Sequence, residues 1–253
     1  MEALLNQNIK ELIQLYPPLE EILKSYNIGC TTCAMGSCRL RDIIEIHNLP
    51  QADEHSLFTK IAALVYPNTE VAIPTLPRKN IGATRIAMSP PIRMLVLEHT
   101  HILMVIGAIP ALIKELQHGA QDSTHKIKAS IDFVKNYADA FHHAKEEDIL
   151  FKCFDGNQEI LASMCQEHEM GRNHIRVALD ALDKGGFDLV ASNLLAYATL
   201  LRDHIRKEDE ILYPWMDRQL SDSQIGKLYA QFMEVDKKFG DKPKLFEKFS
   251  KSL

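Results

Sequence analysis

The feature that most constrains this chain is an internal repeat. Phe141-His142-His143-Ala144-Lys145-Glu146-Glu147-Asp148-Ile149-Leu150-Phe151 echoes Asp203-His204-Ile205-Arg206-Lys207-Glu208-Asp209-Glu210-Ile211-Leu212-Tyr213. Both read His-x-x-Lys-Glu-x-x-Ile-Leu-aromatic. The alignment pairs His142 with His204 and Glu146 with Glu208, and it selects them over His143 and Glu147. A shorter echo precedes each copy: Glu98-His99, then Glu167-His168.

The pattern around these motifs is helical. Apolar periodicity predicts long helices at 90–118, 124–153, 158–184 and 187–219. The breaks are Gly119 to Ser123, Asp155-Gly156-Asn157 and Gly185-Gly186. Ser89-Pro90-Pro91 is a strong helix start. Ser221 to Lys237 supplies a fifth helix, and the tail can add a short one. No segment alternates with period two over a strand's length. Four long helices with short connections imply an all-α, up-down-up-down four-helix bundle. Counted from the turns at Gly119–Ser123 and Gly185-Gly186, His99, His142, His168 and His204 each lie roughly 26 to 30 Å along their helices. The four histidines therefore share one level, which core packing does not require.

That arrangement suits a metal. Residues four apart share a helix face, so each His-x-x-x-Glu offers an imidazole and a carboxylate to one ion or to two adjacent ones. Imidazole suits iron, and a carboxylate can bridge two cations. The candidate ligands are His99, His142, Glu146, His168, His204 and Glu208. The other histidines take ordinary readings. His101 and His174 point to other faces. His143 and Glu147 stand one step off the ligand face. Lys145 to Asp148, apart from Glu146, reads as a solvated face.

Residues 1–66 form a small helical domain. Asn8 to Ser25 has helical spacing broken at Pro17-Pro18, and short helices fit Arg39 to His47 and Glu54 to Val65. Residues 67–87 are a proline-bearing linker, and the bundle with its C-terminal helix occupies 88–253. Cys30, Cys33 and Cys38 cluster in the small domain. Three thiolates suit an iron–sulfur cluster or an iron with a fourth ligand from elsewhere, which a partner or a homodimer would supply. Two suit a redox disulfide, and reduced cysteines in a tight turn need no cofactor. The residues leave these readings open.

Composition narrows the class. Hydrophobic residues are 46% and charged residues 25%, as in a globular protein with a real core. The net charge of −5 and the lack of a Lys/Arg run argue against a nucleic-acid partner. Ile102 to Ile113 is too short and punctuated to span a bilayer. Five cysteines, an odd count, without an export signal point to a reducing, cytoplasmic setting.

The motifs Glu98-His99, His142-x-x-x-Glu146, Glu167-His168 and His204-x-x-x-Glu208 resemble the hemerythrin-like, or HHE cation-binding, domain over roughly residues 88 to 237. Oxygen-carrying hemerythrins use a fifth histidine four residues after the one on the third helix, where this chain has Arg172. They also end on an aspartate five after the last histidine, where this chain has Glu208 four after. The set here is most similar to the di-iron repair-of-iron-centres proteins, which also have a small cysteine-bearing N-terminal domain. Those carry an adjacent Cys-Cys pair, unlike Cys30-x-x-Cys33. The resemblance implies two non-haem irons bridged by oxygen and by carboxylates, and reaction with nitric oxide or dioxygen. It further implies an electron donor protein, and either nitric oxide reduction with iron–sulfur repair or a sensing or storage role without turnover.

Overall fold

The computed structural model describes residues 1–253 except 27, 29–37, 48, 68, 77–87, 120–121 and 155–157. Among the described residues the chain forms eleven helices and no strand, contiguous helical turns of different pitch counted as one. The four long helices run as the periodicity predicts. The first is Pro90–Gln117. The second begins as Ser123–Phe133 and continues through Val134–His143, Glu146–Leu150 and Phe151–Cys153. The third is Gln158–Asp183. The fourth, Phe187–Lys207, continues through Glu208–Leu212 and Tyr213–Gln219.

Local chemistry sets the ends. Ser89 is the N-cap of the first helix, with proline in its first turn, where the missing N–H costs nothing. The third helix closes on Gly185 at φ 71, and Gly186 N–H donates to the Ala181 carbonyl at 2.9 Å. A residue with a Cβ is strained at that φ, so glycine fits there. Ser221 and Gln224 form a reciprocal capping box at the start of Asp222–Phe239, and Lys242–Ser250 follows.

The main core lies between the histidine level and the turns near 119 and 185. Ile102, Val105, Ile106 and Ile109 recur at three- and four-residue spacing and pack with Phe133, Tyr137, Leu194 and Leu201. Each fully buried aliphatic or aromatic side chain contributes about 1.5–3 kcal/mol. One helix, Pro90–Gln117, is long and apolar enough by length and composition to cross a membrane. This differs from the reading of 102–113 as too short, because the helix extends N-terminally to Pro90 through further apolar residues interrupted by Arg93 and Glu98 to His101. The same helix buries Glu98 and His99.

The chain divides into two compact units. One comprises 1–84 with 157–163 and 214–219; the other comprises 85–156, 164–213 and 220–253. In the first, Asn8 caps Ile9–Leu15, its side chain accepting from Lys10 N–H at 2.8 Å. The Pro17-Pro18 break separates that helix from Leu19–Lys24, and Leu40–Ile46 and Gln51–Val65 follow. Cys30 and Cys33 lie outside the described residues, as does most of the linker; Cys38 is buried.

Candidate metal centre

The bundle brings its six candidate ligands to one place, and all six are buried. His99, His142, Glu146 and Glu208 each offer a donor atom within 4.8 Å of the others. His168 and His204 do the same together with His143. The two histidine pairs are nearly congruent. His99 and His142 have ring centroids 4.5 Å apart at 58°; His168 and His204 are 4.6 Å apart at 62°. Each pair joins residues on either side of a turn, so consecutive helices run antiparallel.

The carboxylates link the pairs. Glu208 sets Oε2 3.3 Å from His99 Nε2 and Oε1 3.1 Å from His204 Nε2. Glu146 turns Oε2 toward both His142 Nε2, at 3.7 Å, and His168 Nε2, at 3.5 Å. Its Oε1 accepts from the Tyr213 hydroxyl.

An outer ring of carboxylates fixes every imidazole. His142 Nδ1 donates to Glu98 at 2.9 Å, and His204 Nδ1 donates to Glu167 at 2.7 Å. Lys145 and Lys207 donate to the other oxygens of the same two glutamates. His99 Nδ1 donates to Asp209 at 2.8 Å, and His168 Nδ1 to Glu147 at 2.6 Å. With the proton held on Nδ1, each Nε2 turns its lone pair inward, the tautomer a metal needs.

The inward atoms test whether a metal fits. His99 Nε2, His142 Nε2, Glu146 Oε2 and both oxygens of Glu208 are buried without a hydrogen-bond partner. His168 Nε2 and His204 Nε2 face each other at 2.8 Å. Burying so many converging acceptors is costly unless a cation satisfies them. Mixed imidazole and carboxylate donors suit divalent first-row ions, iron among them.

The electrostatics follow from burial and neighbours. Burial opposes charge on His99, but the Asp209 and Glu208 carboxylates outweigh it and hold the imidazole up to about 9. Burial and the charge on His99 push His142 well below its ordinary range. Burial and the nearby Glu208 carboxylate push Glu146 well up. Glu208, against its own burial, is held well below the usual carboxylate range by His204 and His99. Two close carboxylates drive each other's affinities for a proton apart in this way.

Three residues set aside on sequence grounds belong to the site. Lys145, read as part of a solvated face, is 0% exposed and ion-paired to Glu98 and Asp236. Glu147, read as off the ligand face, orients His168 and also accepts from Arg172 at 2.7 Å. His143 stacks on His168 with centroids 3.8 Å apart at 13°. The cause is pitch. Val134–His143 and Glu146–Leu150 are π-helical, as is Glu208–Leu212 in the fourth helix. A widened i→i+5 turn changes which residues share a face, and such turns concentrate at functional sites. The recurrence of Lys and of an acid after Glu in both copies was the signal for Lys145, Lys207, Glu147 and Asp209. Tyr213 and Phe151, the repeat's aromatic position, stack on His99 and His168 at 5.5 and 6.4 Å.

Against known protein families, the model for the Hemerythrin HHE cation binding domain matches residues 90–216. That span is half of the chain. The chain belongs to this family. No curated protein and no solved structure matches it. The matched span of the HHE domain holds all six candidate ligands, their carboxylate partners and both lysines.

Proposed function

We propose that this HHE protein carries a di-iron centre that binds nitric oxide or dioxygen and reduces nitric oxide. His99, His142, His168 and His204 would hold the two irons, with Glu146 and Glu208 offering carboxylate oxygens beside both histidine pairs. The observation that carries this reading is the pair of congruent histidine pairs joined by Glu208, one oxygen toward each pair. The irons, when bound, supply redox electrons and open positions for a diatomic ligand.

The chain's own residues hold, orient and shelter that chemistry. Glu98, Glu167, Asp209 and Glu147 fix the imidazoles, and the buried setting keeps competing water away from the inward atoms. The balanced reaction takes two nitric oxide molecules, two electrons and two protons to nitrous oxide and water. The electrons come from an external donor protein. The four-histidine, two-glutamate set is the one the repair-of-iron-centres resemblance implies, which supports a role in nitrosative stress and iron–sulfur maintenance.

The test is anaerobic turnover of iron-loaded protein with nitric oxide and a reductant. Wild type with two irons per chain should form nitrous oxide above the uncatalysed rate, and His204→Ala should lose iron and activity together. Iron-loaded protein that binds nitric oxide without forming nitrous oxide would reject turnover in favour of sensing. Uptake of zinc alone, or of no metal, would reject the di-iron reading.

A further inference from the structure

The repeat pairs the ligands and their partners, and beside the ligand histidine the two copies differ in chemistry. The position after the ligand histidine is His143 in the second helix and Ile205 in the fourth. Ile205 is an ordinary buried core residue. His143 is 5% exposed, and its Nδ1 is buried without a hydrogen-bond partner. The nearest carboxylate oxygen is Asp139 Oδ1 at 3.5 Å, which already accepts from Arg172 Nε at 2.8 Å. The π-helical run Val134–His143 carries His143 to this place; the fourth helix is α-helical over Phe187–Lys207 and carries no such run.

A cavity meets the site at the same point. It measures about 350 Å³, and its walls include His143, His168, Gly171, Arg172, Tyr197 and Leu201. His99, His142, Glu146 and Glu208 are not among its walls. Gly171 lets the Tyr197 ring pack close beside it, since a Cβ there would lie 3.3 Å from that ring. Of the six candidate ligands, His168 alone is among its walls.

His143 does not fit as a further metal ligand, although its donor atom lies within 4.8 Å of those of His168 and His204. Imidazole lone pairs lie in the ring plane. Two rings stacked at 13° direct theirs along nearly parallel planes, which do not converge on one ion. The ring stands beside the donor set and lines the cavity.

Resting on the metal-centre reading above, we propose that a small exogenous ligand, diatomic or anionic, enters through this cavity and binds on the His168/His204 side, hydrogen-bonded by His143. The two halves of the centre then divide the work, with the ligand received beside His168.

Azide is the probe, added to oxidised, iron-loaded, full-length protein. His143→Ile installs the residue of the matching position. It should retain two irons per chain and an unchanged azide-free spectrum, while azide Kd rises about tenfold through loss of one hydrogen bond. Ile175→Phe, which adds bulk to the cavity wall, should slow azide association at least tenfold in stopped flow while leaving Kd within about twofold. Loss of an iron or an altered azide-free spectrum in His143→Ile would make His143 a ligand and overturn the assignment. Unchanged azide affinity would reduce it to a stacking residue, and unchanged association in Ile175→Phe would reject the route. Wild type that takes up no iron would instead reject the metal-centre reading beneath it.

Discussion

The helices at 90–117 and 123–153 and those at 158–183 and 187–219 build the same half-site twice, and their differences are informative. In both, a glutamate ahead of the first histidine holds the second histidine and a buried lysine. In both, the acid after the ligand glutamate holds the first histidine of the other pair. Departures fall at only a few positions. Tyr213 hydrogen-bonds Glu146, whereas its counterpart Phe151 has no hydroxyl to offer. Lys145 has a second carboxylate, Asp236, whereas Lys207 is paired with Glu167. Burial pushes Glu98 up, while Glu167, against its burial, is held low by His204 and Lys207. What the halves share therefore builds the donor set, and where they differ, each metal position acquires its own surroundings.

The largest expected effect separates the two shared carboxylates. Glu208 serves both histidine pairs with one oxygen each, while Glu146 turns a single oxygen inward. Glu208→Ala should lose both metal ions, and Glu146→Ala should keep at least one, read as metal per chain after loading and desalting. Equal losses would show that the bridges are interchangeable.

The lysines give the next contrast. Lys145→Met removes the cation shared by two carboxylates, one of them deeply buried, and should destabilise the fold by about 3–5 kcal/mol. Lys207→Met removes the cation from one and should cost less. Urea unfolding of the two variants measures the difference, and equal midpoints would mean that Asp236 adds nothing.

The smallest effect belongs to the aromatic position. Tyr213→Phe makes the two halves alike and removes one hydrogen bond from Glu146, worth about 1 kcal/mol. Affinity for one of the two ions should fall less than tenfold, with thermal stability nearly unchanged. A loss of a hundredfold or more would make the hydroxyl a determinant of the site rather than an adjustment to it.

Much of this was legible in the sequence. Helical periodicity predicted the four long helices to within a residue or two, because their turns carry Gly and Pro-type signals with strong local preferences. The repeat chose His142 over His143 and Glu146 over Glu147 as the residues that turn toward the shared interior. What it hid was the partner layer, for a physical reason. Glu147, five residues after His142, lies off the ligand face at 3.6 residues per turn, and the widened turns of Val134–His143 and Glu146–Leu150 change that spacing. Nothing in residue composition marks a π-helical run. The burial of Lys145 also depends on Glu98, far away in the sequence, and on Asp236 beyond the repeat altogether. The cysteine cluster stays where the sequence left it, since Cys30 and Cys33 fall outside the described residues.

The mismatch of His143 and Ile205 has a consequence for how such a centre can evolve. Two identical helical hairpins meeting as a symmetric dimer would have to carry the same residue at both positions. Histidine at both would line both flanks, and isoleucine at both would line neither. Joining the hairpins in one polypeptide releases that constraint, so a single substitution can change one flank and spare the other. Tandem fusion thus does more than secure the assembly: it is the step that lets a two-fold scaffold tell its left hand from its right.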